Sequence, residues 1–247
     1  MFVTTKALVL REVRYKEADR ILTLLTADQG KLTVKARGAL RKGSKMAAAS
    51  QALCYSEFTL FGNRGRWTAD EGSTQEQFLG LREDIAQLAL GAYFAELLDT
   101  VCPEEQPAGP ALQLALNALY ALSRGIYTPE HVKAVFELRL MCLEGFQPEV
   151  EVCGVCGRPD MDGPMFSPGS GMIHCAGCAP GAAGASVALD GETLAAMRHI
   201  VEAAPKKEFS FAIPDGSMER LGRATELFVR HQLDKNFYSL DYWKSVK

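Results

Sequence analysis

The sequence predicts an α+β protein in which a small N-terminal β-barrel precedes an α-helical domain that carries a four-cysteine, zinc-ribbon-like insertion. Three observations support this fold class. Short β-rich runs occupy residues 1–72, apolar residues then recur at helical spacing, and four cysteines lie in two close pairs within a stretch rich in Gly and Pro. With 247 residues, 47% of them hydrophobic and 23% charged, the chain can bury a substantial core without disulfide bonds.

The N-terminal region contains β-rich runs that are separated by turn signals such as Asp28-Gln29-Gly30. Five strands in about 70 residues are typical of a small closed or half-closed barrel. The pattern alone leaves a five-stranded open sheet as the alternative. The predicted strands cover residues 3–10, 20–26, 31–37, 53–61 and 66–71.

Helical signals follow this region. Ser73 and Glu76 have the spacing of a capping box and predict a helix start. Thr128 and Pro129 predict an N-cap followed by proline in the first turn. Apolar residues at intervals of three or four predict the helices themselves. These cover residues 81–98, 111–123, 130–143, 191–203 and 218–236, with a short strand-like patch at 209–213.

Changes in composition along the chain predict its domain organisation. We expect a barrel domain at residues 1–80, the first part of a helical domain at 81–150, a cysteine-bearing insertion at 151–186 and the second part of the helical domain at 187–247. The most apolar run contains Gln87, Glu96 and Asp99, and the N-terminus lacks a basic segment followed by an apolar one. We therefore expect a cytoplasmic protein that does not cross a membrane.

The cysteine pairs are the strongest chemical signal in the chain. Cys153 and Cys156 form one C-x2-C pair, and Cys175 and Cys178 form a second. Two residues between cysteines let both sulfurs of a pair reach one ion, so that two pairs supply four thiolates at tetrahedral corners. Because such a site has no open coordination position, we predict one structural Zn²⁺. A redox dithiol and an iron–sulfur cluster are the alternatives.

Charge is unevenly distributed, although the formal net charge is only −3. No acidic residue lies between Gln29 and Ser56, where six basic residues occur. In one predicted strand, Lys31, Lys35 and Arg37 alternate with apolar residues and therefore point to one face. A cationic surface of this kind binds a polyanionic backbone without reading its sequence. A solvated strand face is the alternative.

We predict that nucleic acid binds at this cationic region. Its candidate contacts are Lys31, Lys35, Arg37, Arg41, Lys42, Lys45, Arg64 and Arg66. Aromatic side chains nearby could stack on the bases of a single strand; the candidates are Tyr15, Tyr55, Phe58, Phe61 and Trp67.

Motifs for catalysis are absent from the sequence. It contains no P-loop, nucleophile elbow, zinc-protease helix motif or dinucleotide-binding glycine motif. His131, His199 and His231 lie on predicted helices without a partner motif. We therefore expect a binding protein and not an enzyme.

The order of these parts resembles the RecO family of bacterial DNA repair and recombination mediators. The resemblance rests on residues 6–10 and 15–19, on Gly30 and Lys31 leading into residues 35–38, and on the four cysteines. It implies that the barrel is an OB-fold that binds single- and double-stranded DNA, with contacts from Lys31 through Lys45 and zinc bound by the cysteines.

The resemblance also implies a role and partners. RecO-like proteins anneal complementary strands and help to load recombinase onto DNA coated with single-stranded-DNA-binding protein (SSB). The implied partners are RecR, the acidic C-terminal tail of SSB and, indirectly, RecF and RecA, and the protein would associate with the nucleoid during repair. The alternative functions are a zinc-ribbon protein–protein adaptor and an RNA-binding OB-fold protein.

Overall fold

A computed structural model of the chain describes residues 2–63, 65–181 and 186–247. Backbone contacts group the chain into two compact units. Unit 1 comprises residues 1–124 and 237–247, and unit 2 comprises residues 125–236. The domain boundaries expected near residues 80, 150 and 186 follow changes in composition and stay a prediction.

The N-terminal strands of unit 1 form a closed barrel. Among the described residues, five strands close it in the order β1-β2-β3-β5-β4, in which β3 and β5 are parallel and β4 returns antiparallel to β1. This order and closure are those of an OB-fold. The predicted barrel is thereby confirmed, and the open sheet is excluded. The strands are β1 Phe2–Tyr15, β2 Asp19–Thr26, β3 Gly30–Ala36, β4 Tyr55–Asn63 and β5 Arg66–Glu76, with the short helix α1 Met46–Ala49 between β3 and β4.

The barrel interior follows from the alternation of apolar and polar residues. In β3, Leu32, Val34 and Ala36 are buried and pack in one cluster with residues of the other strands. Phe58 of β4 and Ala69 of β5, a strand that pairs with β3, belong to the same cluster. The residues between them in β3 are left on the outer surface of the barrel, as the sequence predicts.

Helices of unit 1 follow the barrel and correct one prediction. Ser73 and Glu76 do not begin a helix; they lie in β5, and the Glu76 carboxylate instead accepts hydrogen bonds from the next two backbone N–H groups. The first long helix begins after Asp84, whose side chain accepts from two N–H groups of its first turn. The helices are α2 Ile85–Val101, α3 Gly109–Ser123 and, at the end of the chain, α7 Tyr238–Val246, which the sequence patterns did not predict.

The described part of unit 2 combines three α-helices and a 3-10 helix, Ala176–Gly181, with a small sheet. Thr128 caps the first helix by accepting from the His131 N–H, as predicted. Residues 209–213, all of them described, do not form the predicted strand. They lie in a loop, and the Phe209 side chain of this loop is buried. The helices are α4 Pro129–Leu143, α5 Gly191–Glu202 and α6 Asp215–Leu233, and the strands are β6 Met165–Ser167, β7 Met172–His174 and β8 Val187–Ala188. No helix in the described ranges is both long and apolar enough to span a bilayer.

The turn between β2 and β3 depends on glycine at position 30. Gly30 has φ +62°, a conformation that disfavours residues with a Cβ. A Cβ at this position would also overlap the backbone carbonyl of Gln106, because the segment after α2 runs directly against the turn. Hydrogen bonds from Lys31 N to Pro103 O and from Ala108 N to Ala27 O hold this segment in place.

We expect Gly30→Ala to destabilise unit 1 by about 2–4 kcal/mol, the sum of left-handed backbone strain and overpacking against a rigid carbonyl. Gly43→Ala is the matched control, because Gly43 has φ +77° but open space around its Cβ position. Its cost should be about 1 kcal/mol. Urea denaturation of both variants measures the difference, and equal losses would contradict the importance of the contact with Gln106.

Candidate metal centre and nucleic-acid interface

The four cysteines lie together in unit 2. Their Sγ atoms are all within 4.8 Å of one another, and those of Cys156 and Cys175 are 3.8 Å apart. Four sulfurs that bind one ion at 2.3 Å form a tetrahedron with edges of about 3.8 Å. The donor set therefore fits a closed, four-thiolate metal site, and these residues could hold a metal ion.

A tight turn and several backbone hydrogen bonds bring the cysteine sulfurs close together. Gly157 adopts φ +73° and donates to the Cys153 carbonyl, which closes the first pair into a tight turn. The backbone N–H of Gly154 donates to the Ile173 carbonyl on β7, so that this turn lies beside the strand that leads to Cys175. The Cys175 N–H in turn donates to the Cys153 sulfur at 3.4 Å.

The electrostatics of the cluster favour a cation. Backbone N–H groups, that of Cys156 first, lower the pKa of Cys153 to about 5. Burial and the neighbouring sulfurs raise the pKa of Cys175 to about 12. Four adjacent sulfurs therefore cannot all ionise without a compensating positive charge, which a bound metal ion supplies.

Lys31, the first of the predicted DNA contacts, is directed away from open solvent. Its ammonium forms an ion pair with Asp99 of α2 at 3.2 Å and donates to the backbone carbonyl of the same residue. Only 15% of the side chain is exposed. In this structure Lys31 ties β3 to α2.

The next two cations, half-buried Lys35 and exposed Arg37, are paired with carboxylates. The Lys35 ammonium lies 2.9 Å from an Asp19 carboxylate oxygen, and Arg37 lies 3.7 Å from Asp70. Asp19 also accepts a hydrogen bond from the Gly38 N–H at 2.9 Å. That backbone hydrogen bond, followed by the contact with Lys35, lowers the pKa of Asp19. Asp19 therefore stays ionised at neutral pH and offsets part of the charge of Lys35.

The remaining predicted cations lie mainly on one ordered segment, which we call the cationic loop (residues 37–45). The Leu40 N–H donates to the Ala18 carbonyl, and buried Ala39 anchors the loop in the barrel core. Arg41, Lys42 and Lys45 are exposed on this loop, and within the described residues no carboxylate lies in ion-pair range of them. The loop therefore exposes three positive charges, although Asp19 acts on Arg41 at longer range and Lys45 lines a cavity with Glu57, Asp70 and Glu71.

Two predicted contacts lie near the β4–β5 turn. Arg66 is exposed at the start of β5. Arg64 lies outside the described residues. The structure thus brings Arg41, Lys42 and Lys45 together and directs Lys31 elsewhere.

Carboxylates are the part of this interface that the sequence did not reveal. The run from Gln29 to Ser56 has no acidic residue. The fold nevertheless brings Asp19, Asp70 and Asp99 to three of its cations. These acids are distant in sequence from most of their partners, and strand pairing and helix packing alone bring them close. No local pattern could have identified them.

The fold and the site together define a class of protein. A closed OB-fold barrel with a cationic loop is followed by a helical region that bears a four-cysteine cluster suited to a metal ion. Comparison with protein families assigns the chain more narrowly. Residues 1–74 match the family model described as Recombination protein O N terminal, and residues 82–241 match Recombination protein O C terminal. The chain belongs to the RecO family.

Curated relatives agree with this assignment. The chain is 34% identical over 245 residues to the DNA repair protein RecO of Acetivibrio thermocellus, covering 99% of this chain and 97% of the relative. It is 28% identical to that of Alkaliphilus metalliredigens over the full length of both. It is 33% identical to that of Listeria monocytogenes, over 70% of this chain and 67% of the relative. The chain is therefore a DNA repair protein, and the names of its relatives carry no enzymatic activity.

Proposed function

We propose that this protein binds single- and double-stranded DNA, anneals complementary strands and helps to load recombinase onto SSB-coated DNA. The observation that carries the proposal is the cationic loop on the OB-fold barrel, with its unpaired Arg41, Lys42 and Lys45. Family membership agrees with a role in DNA repair.

The mechanism follows from charge. Two complementary strands repel each other, and a cationic surface lowers this repulsion by neutralising phosphates and releasing counterions. Contacts to phosphate carry no sequence information, so that strands can slide until their bases find register. No bond is broken in such a process, and no catalytic residue is needed.

Partner proteins form part of the same proposal. We expect the protein to act with RecR and with the acidic C-terminal tail of SSB, and indirectly with RecF and RecA. It would then work in the cytoplasm, at the nucleoid during repair. Membership of the RecO family supports these expectations. Annealing of SSB-coated strands, compared between intact SSB and SSB without its tail, tests the tail as a partner.

The two alternative functions make different predictions. An RNA-binding OB-fold protein would bind RNA more tightly than DNA of the same length. A zinc-ribbon adaptor would bind neither nucleic acid with strong salt dependence. The exposed cationic loop favours the DNA-binding proposal over the adaptor, because no carboxylate of the described residues forms a close ion pair with Arg41, Lys42 or Lys45.

We expect the triple variant Arg41→Ala/Lys42→Ala/Lys45→Ala to lose most annealing activity. Each phosphate contact contributes about 0.7 to the salt dependence of single-strand binding, so the slope of log K against log salt should fall by about 2. Binding of labelled oligonucleotides across a salt series measures this slope, and annealing of complementary strands measures the activity.

A matched variant controls for loss of positive charge alone. Lys207, Arg223 and Lys235 are exposed cations of unit 2. Their combined replacement by alanine changes the net charge equally and should leave binding and annealing unchanged. Equal losses in both triple variants would contradict a specific role for the cationic loop.

We further propose that the four cysteines hold one structural Zn²⁺. The closed set of four sulfurs supports this ion, because zinc favours tetrahedral thiolate coordination. When bound, the ion would link the turn at Cys153 to the segment at Cys175 and Cys178 and so stabilise a part of unit 2 with little regular secondary structure.

We expect Cys153→Ser to abolish zinc binding and lower the unfolding temperature, without removing any DNA contact. Metal content by atomic emission and thermal unfolding measure the two effects. Cys142→Ser is the control, because Cys142 lies on α4 outside the cluster and burial raises its pKa to about 11. A Cys153→Ser protein that stays folded and zinc-loaded would refute the ligand assignment, and bound iron would indicate an iron–sulfur cluster.

A further inference from the structure

The turn between β1 and β2 presents an aromatic ring beside the cationic loop. Tyr15 ends β1, pairs across the turn with Asp19 and is 41% exposed. Hydrogen bonds from Leu40 N to Ala18 O and from Gly38 N to Asp19 Oδ1 attach the cationic loop to this same turn. The ring therefore lies on the turn to which the cationic loop is attached.

Other aromatic residues of the barrel are less suited to contact a base. Phe58 is fully buried, and Trp67 packs against the barrel core and Gly62. Tyr55 is half-buried, and burial raises the pKa of its hydroxyl. Phe61 contacts exposed Phe2 with their ring centroids 5.0 Å apart and their planes tilted by 46°, at the opposite end of β1 from the cationic loop.

Two lysines flank the Tyr15 ring. The ammonium groups of Lys16 and Lys35 lie 5.5 Å and 5.4 Å from its centroid, within the range of cation–π contacts. Lys35 also contacts Asp19, whereas no carboxylate among the described residues is within ion-pair distance of Lys16. Both ammonium groups lie over the ring, so a base that stacks on Tyr15 would take their place while they move to its phosphates.

We propose that Tyr15 stacks on an unpaired base while Lys16 and Lys35 contact its flanking phosphates, and that this contact makes the interface prefer single strands to duplex. The inference rests on the proposed DNA-binding function and adds to it a residue that determines specificity. Bases in a duplex are already stacked on both faces and offer no free face to Tyr15. The cationic loop contacts phosphates in either form of DNA.

The backbone of Lys16 agrees with this role. Lys16 has φ +55°, a left-handed conformation that is unfavourable for a residue with a Cβ. Glycine would adopt the same turn without strain. Lysine at this position brings an ammonium group to the Tyr15 ring. Glycine has no side chain and would leave the ring without this cation.

Replacement of Tyr15 tests the proposal directly. Tyr15→Ala should weaken binding of a labelled single-stranded oligonucleotide about tenfold or more, the usual effect of losing one base–aromatic stack, and change duplex binding less than about twofold. Tyr15→Phe keeps the ring and should retain wild-type binding. Fluorescence anisotropy at one fixed salt concentration measures both affinities on the full chain.

Tyr120 provides the matched control. It is also an exposed tyrosine of unit 1, at 48%, and the Arg124 guanidinium lies 5.6 Å from its ring centroid. Tyr120→Ala removes a similar ring–cation pair from α3 and should leave both affinities unchanged. A loss equal to that of Tyr15→Ala would overturn the proposal.

Lys16→Gly separates stability from binding. Relief of the left-handed strain should keep or raise the unfolding temperature, while single-strand affinity falls severalfold because one phosphate contact is lost. A variant that is both as stable as wild type and unchanged in binding would refute the role of Lys16.

The outcomes distinguish this inference from the function on which it rests. If wild type binds both forms of DNA and Tyr15→Ala binds them equally well, the stacking proposal fails and the proposed function stands. Equal weakening of single-strand and duplex binding would overturn the claim of preference. If the folded wild-type protein binds no DNA, the proposed function and this inference both fail.

Discussion

The strict alternation of β3 is the constraint on which both the barrel and its cationic surface depend. Leu32, Val34 and Ala36 are buried in the barrel core, so the residues between them must face outward. A shift of one residue in register would turn Lys31 and Lys35 into the barrel core and expose the apolar residues. Burial of the two ammonium groups in an apolar core would then destabilise the folded state. The apolar core therefore determines where the positive charge of this strand lies.

Carboxylates then divide the cations into two groups. Those on β3 or directly after it contact Asp99, Asp19 or Asp70, and part of their charge is neutralised within the protein. Those further along the cationic loop have no such partner in the described chain. An interface of this form concentrates its attraction for phosphate on the loop, and the strand beneath serves to position it.

Local patterns were sufficient for much of the fold. The barrel strands, the cap at Thr128 and the clustering of the cysteine pairs all depend on residues that are close in sequence, and the structure confirms them. The helix start predicted at Ser73 and Glu76 is wrong because residues with capping-box spacing can also lie at the end of a strand. Pairing of β5 with β4 extends to Glu76 and outweighs the local preference for a helix start. The partners of Lys31, Lys35 and Arg37 could not be predicted, because tertiary packing alone brings those acids close.

The mixture of paired and unpaired cations suits the proposed function, in which strands are both held and released. An unpaired lysine gains the full attraction of a phosphate, whereas Lys35 must exchange Asp19 for it and gains less. Asp19 remains available when the strand leaves, because the Gly38 N–H keeps it in place and lowers its pKa. If the barrel binds DNA as proposed, Asp19 would compete with phosphate for Lys35 and limit how tightly a strand is held. A surface without such competition would bind more tightly and release an annealed duplex more slowly.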